Sequence, residues 1–289
     1  MTNNNGANQR ATEAKLSLVI TVFNERAHLP ALLAALDEQT LVPEEIIIVD
    51  ANSSDGTWEI LQKWQQRWQG QALLVKNTHG PLPKIELVQQ GGGISLGRNT
   101  GIGLATGNLI ATTDAGCVPE PAWLAHLSKT AQETGADLVA GHAVGLPANA
   151  FEAAQVPFVL VPDNKIKAGN YLPATRSMLM KKSVWQELGG FREDLAVSED
   201  YAFSIAARRA GYKIVFCQQA RVGWQPRPNL REFAKMVAGQ ATYDIVGEIK
   251  RTQVDWLIWR WSVAVLVLLI AWLTQPKETR SGRTPYQAS

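Results

Sequence analysis

The chain has 289 residues, 46% of them hydrophobic and 19% charged; that is enough apolar material for one sizeable α/β core and excludes a chain disordered throughout. A formal net charge of +2 with no basic stripe argues against a nucleic-acid partner, which needs a concentrated positive face. The two cysteines, Cys117 and Cys217, lack CxxC or metal-like spacing, which excludes a disulfide framework and fits a reducing compartment.

In chain order, residues 1–14 are Asn-rich and polar with no apolar h-region, so they read as a disordered tail and not as a signal peptide. LSLVITVF, from Leu16 to Phe23, predicts a buried strand, followed by a helix over 24–39 with Asn24 as its cap. EEIIIVD, from Glu44 to Asp50, predicts a second strand; ANSSDG is turn chemistry, and TWEILQKWQQRW from Thr57 a second helix. A third strand is predicted over residues 71–77, then a Gly-rich loop at Gly91 to Gly93. A helix over 95–107 feeds a fourth strand, NLIATTD, ending at Asp114. Apolar strands alternating with helices predict a mostly parallel sheet covered on both faces, with ligands bound beyond the carboxyl ends of its strands. Asn24, Asp50 and Asp114 all fall there.

Those polar strand ends are where chemistry is expected. Asp50 is followed by Asn52, Ser53, Ser54 and Asp55, a loop able to read a base or ribose, although a plain turn explains part of it equally well. Asp114 stands where a carboxylate holds a divalent ion bridging a diphosphate. Arg98 is placed either to pair with that diphosphate or to lie solvated on the surface. Glu199 and Asp200 follow Ser198, a candidate cap, in the first turn of a helix that stops at Gly211. Helix-dipole complementarity explains two acids there, and so does a general base for an acceptor hydroxyl. Gly101, Gly103 and Gly107 imitate a dinucleotide-binding fingerprint, but that motif must follow a strand, and here the strand comes after it.

Toward the C-terminus, residues 229–254 place Phe233, Met236, Val237 and Tyr243 along one face of an amphipathic helix, which lies on a membrane or packs on the core. WLIWRWSVAVLVLLIAWL, from Trp256 to Leu273, has one charge in eighteen residues. At about 1.5 Å per residue such a helix just spans a hydrocarbon layer of about 30 Å. Its tryptophans lie at both ends, as at a headgroup boundary. A buried C-terminal helix is the alternative.

The motifs LSLVITVFNE, EEIIIVDANSSDGT, GRNTGIGLATGNLIATTDAGCVPEPAWL and GGFREDLAVSEDYAFSIAARRAGYKIVF, in this order, closely resemble the inverting family-2 glycosyltransferases of the GT-A fold. The resemblance implies a nucleotide-diphospho-sugar transferase domain over 15–228, the amphipathic helix over 229–254, and a membrane-inserted helix with a polar tail over 255–289. It implies a nucleotide-sugar donor, by default a uridine diphosphate sugar, bound by Thr21, Asn24, Glu25, Asp50, Asn52, Ser54, Arg98 and Asp114. Asp200 becomes the catalytic base, with Glu199 the neighbouring acid, and Asp114 the ligand of Mg²⁺ or Mn²⁺. The acceptor becomes a lipid-linked or envelope glycan, reached from the cytoplasmic side of a membrane. Two departures stand out: the second acid of the family's DxD motif is Gly116, and Trp224 replaces a histidine often found after the last core strand. A polyprenyl-phosphate sugar synthase and a non-catalytic nucleotide-sugar scaffold are the competing readings.

Overall fold

The structure is a computed structural model, and it describes residues 15–70, 82–161 and 165–246. Eight strands form one sheet: β1 (Leu16–Val22), β2 (Glu45–Asp50), β3 (Lys84–Gln89), β4 (Leu109–Asp114), β5 (Cys117–Pro119), β6 (Leu138–Gly145), β7 (Met178–Lys181) and β8 (Ile214–Trp224), in the spatial order β3-β2-β1-β4-β7-β6-β8-β5. β1 to β4 are mutually parallel. The other half departs from the mostly parallel sheet expected. β7 runs antiparallel to both β4 and β6, and β5 antiparallel to β8, so the sheet is mixed.

Helices cover both faces: α1 (Leu29–Asp37), α2 (Thr57–Gly70), α3 (Ile94–Leu104), α4 (Trp123–Thr134), α5 (Ala150–Val159), α6 (Lys182–Glu187), α7 (Glu199–Arg209) and α8 (Leu230–Val246). Successive strand residues point to opposite faces, which divides the core in two. Leu18, Ile20, Ile46 and Ile48 pack with Leu32 of α1, Leu61 of α2 and Trp123 of α4. Val19, Ile47, Val49 and Ile110 pack on the other side with Ile102 of α3 and Phe203 of α7.

Three local expectations are corrected. Helix α1 begins at Leu29 with His28 at its N-cap position, not at Asn24; Asn24 instead has a left-handed φ of 53° and bonds a neighbouring loop. Ser198 is the N-cap residue of α7, but it sits at φ 67° and its side chain makes no capping hydrogen bond. The strand beside β2 is Lys84–Gln89, a segment not predicted as a strand; the run 71–77 lies outside the described residues.

Among the described residues no helix is long and apolar enough to cross a membrane. The apolar run 256–273 lies outside them, as does all of the second compact unit, residues 248–289.

Candidate active site

The parallel half aligns four strand ends in one rank. Gln89 lies opposite Asp50, Asp50 opposite Val22, and Thr21 opposite Asp114. The loops that leave these ends are tied to one another. Asn24 Oδ1 accepts from Ser54 N at 2.9 Å and Asn24 N donates to Ser53 Oγ at 2.8 Å. The Glu25 amide donates to Thr57 Oγ1 at 2.9 Å, and the Arg26 amide to Asp55 at 3.0 Å. Asp50, fully buried, accepts from Ser53 N and Oγ and from Gln89 Nε2. Such a network fixes a polar rim and leaves Asn24, Asn52 and Ser54 exposed on it. Thr21 differs: its hydroxyl is buried without a hydrogen-bond partner.

A second cluster joins distant parts of the chain. Helix α3 reaches the segment before α7 through three residues on one face, at i, i+3 and i+4. Ser95 Oγ donates to Leu195 O at 3.1 Å. Asn99 Nδ2 donates to Phe191 O at 2.8 Å, and its Oδ1 accepts from Phe191 N and from Trp185 Nε1. Between them Arg98, 3% exposed, donates through Nη2 to Asp114 Oδ1 at 2.9 Å and through Nη1 to Glu199 Oε1. Its guanidinium also lies 5.8 Å from the Phe191 ring centroid. Burial disfavours its charge, yet Glu199, Asp114 and Asp200 together raise its pKa above the ordinary arginine value. The Glu199 carboxyl is pushed up by burial and by Asp200, against the pull of Arg98.

Asp114 and Glu199, 85 positions apart in sequence, therefore share one guanidinium, Asp200 follows Glu199 in the same helical turn, and neither aspartate is sealed off. The Asp114 side chain is 30% exposed and Asp200 is half-buried. Asp200 Oδ2 accepts from the Thr175 amide at 3.4 Å, which ties α7 to the segment leading into β7. A cavity of about 580 Å³, lined among others by Leu109, Lys181 and Gln186, opens at the other end of β4 and does not touch these carboxylates.

Residues 17–173, more than half of the chain, match the family model for glycosyl transferase family 2. The chain belongs to glycosyl transferase family 2. It is 26% identical over 263 residues to glycosyltransferase AglE of Haloferax volcanii, covering 89% of this chain and 79% of that protein. It is 33% identical over 131 residues, 43% of this chain, to an undecaprenyl-phosphate 4-deoxy-4-formamido-L-arabinose transferase of Serratia proteamaculans, and spans 36% of it. The fold matches the mannosyltransferase PcManGT of Pyrobaculum calidifontis, solved with GDP-Man and Mn²⁺, with a TM-score of 0.62 at 19% identity, over 83% of this chain and 66% of that one. Residues 1–349 of S. aureus TarS, solved with UDP, match with a TM-score of 0.57 at 17% identity, over 83% of this chain and 68% of that one.

Within this family-2 glycosyltransferase, Asn24, Glu25, Asp50, Asn52 and Ser54 are brought to the rim, and Asp114, Glu199 and Asp200 to the Arg98 cluster. Arg98 is not the solvated surface residue that the sequence also allowed: it is buried, and each terminal nitrogen donates to a carboxylate.

The side chains present do not make a divalent-ion site. Position 116, two residues after Asp114, is glycine, and one Asp114 oxygen already accepts from Arg98. No group of three or more His, Cys, Asp or Glu side chains among the described residues is placed to hold a metal.

Sequence reasoning missed Phe23, whose ring is 58% exposed beside Asn24, and Arg176, whose guanidinium lies 5.9 Å from the Trp224 ring centroid. An aromatic residue ending an otherwise buried strand was the available signal for the first. Nothing in the run PATRSM marked the second.

Proposed function

We propose that the protein transfers a sugar from a nucleoside diphosphate donor, by default a UDP-sugar, to an acceptor hydroxyl with inversion, in the synthesis of a cell-envelope glycan or glycolipid. The observation that carries this reading is the Arg98 bridge, which joins Asp114 at a donor-side strand end to the first turn of the helix bearing Asp200. The donor lies along the rank of strand ends, its base beside Asn24, Asp50 and Phe23. Asp200 takes the proton from the acceptor oxygen. That oxygen bonds to the anomeric carbon as the bond from the same carbon to the diphosphate oxygen breaks, and the electron pair leaves with the nucleoside diphosphate. One displacement inverts the configuration. Glu199, held by Arg98, keeps the first turn of α7 in place.

Mn²⁺ accompanies GDP-Man in the Pyrobaculum structure; here a Mg²⁺ or Mn²⁺ would find Asp114 as its only carboxylate at this strand end, and no step above depends on it. The undecaprenyl-phosphate transferase among the relatives supports a lipid-linked acceptor and favours, as a second reading, a lipid phosphate in place of a hydroxyl. The apolar run 256–273 supports attachment to a membrane, and we propose the cytoplasmic side for the catalytic domain.

Asp200→Asn is the direct test. A general base contributes about 10² to 10⁴ in rate, so turnover is expected to fall by at least that range while donor affinity stays near the wild-type value. Equal turnover in the variant removes Asp200 from the mechanism.

A further inference from the structure

We propose that Arg176 is a catalytic residue that grips the donor diphosphate and meets the charge of the leaving group where a metal ion would otherwise stand; the proposal rests on the nucleoside diphosphate donor argued above. Its position follows from the sheet. β4 and β7 are antiparallel with Thr112 opposite Met178, and the chain enters β7 through a turn at Thr175 and Arg176, in which Ala174 O accepts from Ser177 N at 2.9 Å. The Thr113 hydroxyl donates to the Arg176 carbonyl at 2.9 Å, which holds this turn beside the end of β4.

The side chain is held there as well. The guanidinium rests over the ring of Trp224, which is buried and pairs across β5 and β8 with Cys117, three residues beyond Asp114. A stacked guanidinium keeps its donor edge free for a planar or tetrahedral oxyanion. The Cys117 thiol is pushed up to about 12 by burial and by Asp114, and Arg176 opposes that shift, which fits a guanidinium within electrostatic reach of this strand end.

The charge balance gives the arginine its task. Arg98 is shared between two carboxylates, Asp114 and Glu199, so its charge is already offset before an anion arrives. Position 116 supplies no acid for a cation. No carboxylate of the described residues lies within ion-pair distance of Arg176. When the sugar departs, charge develops on the diphosphate, and a fixed cation with paired donors is suited to it. A glycine at position 116 and an arginine without a carboxylate partner beside the end of β4 are then two halves of one exchange.

The test is calorimetric titration of the full-length protein with UDP and with GDP, in excess EDTA and in Mn²⁺. Wild-type protein is expected to bind one of the two in EDTA no more weakly than in Mn²⁺. Arg176→Gln is expected to weaken that binding in EDTA by about 10- to 100-fold, the value of a charge-assisted contact. Arg176→Lys, which keeps the charge and loses the fork, is expected to fall between the two. Gly116→Asp restores the missing acid at a position where an added Cβ meets nothing within 4 Å, and its binding is expected to tighten when Mn²⁺ is added. The proposal is overturned if Arg176→Gln binds as wild type does in EDTA, or if wild-type binding requires Mn²⁺. Wild-type protein that binds neither nucleotide in either condition overturns the donor reading itself, an outcome distinct from the other two.

Discussion

Arg98 ties together groups that water would otherwise keep apart. It is 3% exposed, and its two partners, Asp114 and Glu199, come from a strand end and a helix start. Removing one partner from a buried ionic network leaves an uncompensated charge, which costs about 3–5 kcal/mol. Arg98→Met is expected to lose stability in that range in a denaturant titration, whereas Lys84→Met, which breaks an exposed pair with Glu86, is the control expected to change nothing measurable. The loss has a pH signature. The Glu199 carboxyl lies above its ordinary value through burial, in spite of Arg98, so the folded chain holds that proton more tightly than the unfolded one. Its contribution to stability is complete below the unfolded pKa and is lost as pH rises through the folded pKa. Without Arg98 the folded pKa rises further, so the deficit of Arg98→Met is expected to shrink as pH is lowered. A deficit that is constant between neutral and mildly acid pH contradicts this assignment.

Helix α3 is the element that carries Arg98 to its place, and two glycines set its distance from the sheet. A Cβ on Gly97 would lie 3.1 Å from Thr21 Cγ2; one on Gly101 would lie 2.5 Å from Val19 Cγ1 and 3.2 Å from Val49 Cγ2. The neighbouring Gly103 faces open space. Overpacking a close contact costs about 1–3 kcal/mol, so Gly101→Ala is expected to lower the unfolding free energy by that much and to weaken donor binding by lifting Arg98. Gly103→Ala, at an exposed helical position, is expected to raise it by about 0.5–1 kcal/mol. The same element shows what the sequence made readable. Strands β1, β2 and β4 are largely apolar because both faces are covered, and the polar last residues of β2 and β4, Asp50 and Asp114, mark the ligand edge. Strand β3, KIELVQ, is only partly buried, so charged and apolar residues mix and its pattern is weak. The antiparallel insertion of β7 leaves no local trace either: MLMK reads the same in either direction, and its orientation comes from which strands it joins.

For the molecule as a whole, the site is a product of topology. Asp50 and Asp114 were identifiable because strand ends carry ligands, but the meeting of Arg98 with Glu199 spans 101 positions and no periodicity announces it. Arg176 was hidden for the same reason, since its partner strand ends at Asp114 and its supporting ring at Trp224. In the proposed arrangement the donor touches the ends of several strands at once, so a nucleotide sugar that fits is expected to stabilise the entire fold. A ligand at about 100 times its dissociation constant adds about 2.7 kcal/mol to the native state. A panel of UDP- and GDP-sugars is therefore expected to raise the melting temperature with one member and leave it unchanged with the rest; a uniform null response across the panel contradicts a nucleotide-sugar donor.

The long span between Arg98 and Glu199 also has a consequence during synthesis on the ribosome. The parallel strands, α3 and Asp114 emerge well before α7 has been translated, so the nascent chain meets its buried cation with half of its counter-charge still to come. The parallel strands can assemble early, but the clasp that joins them to α7 closes only once about two thirds of the polypeptide has been made.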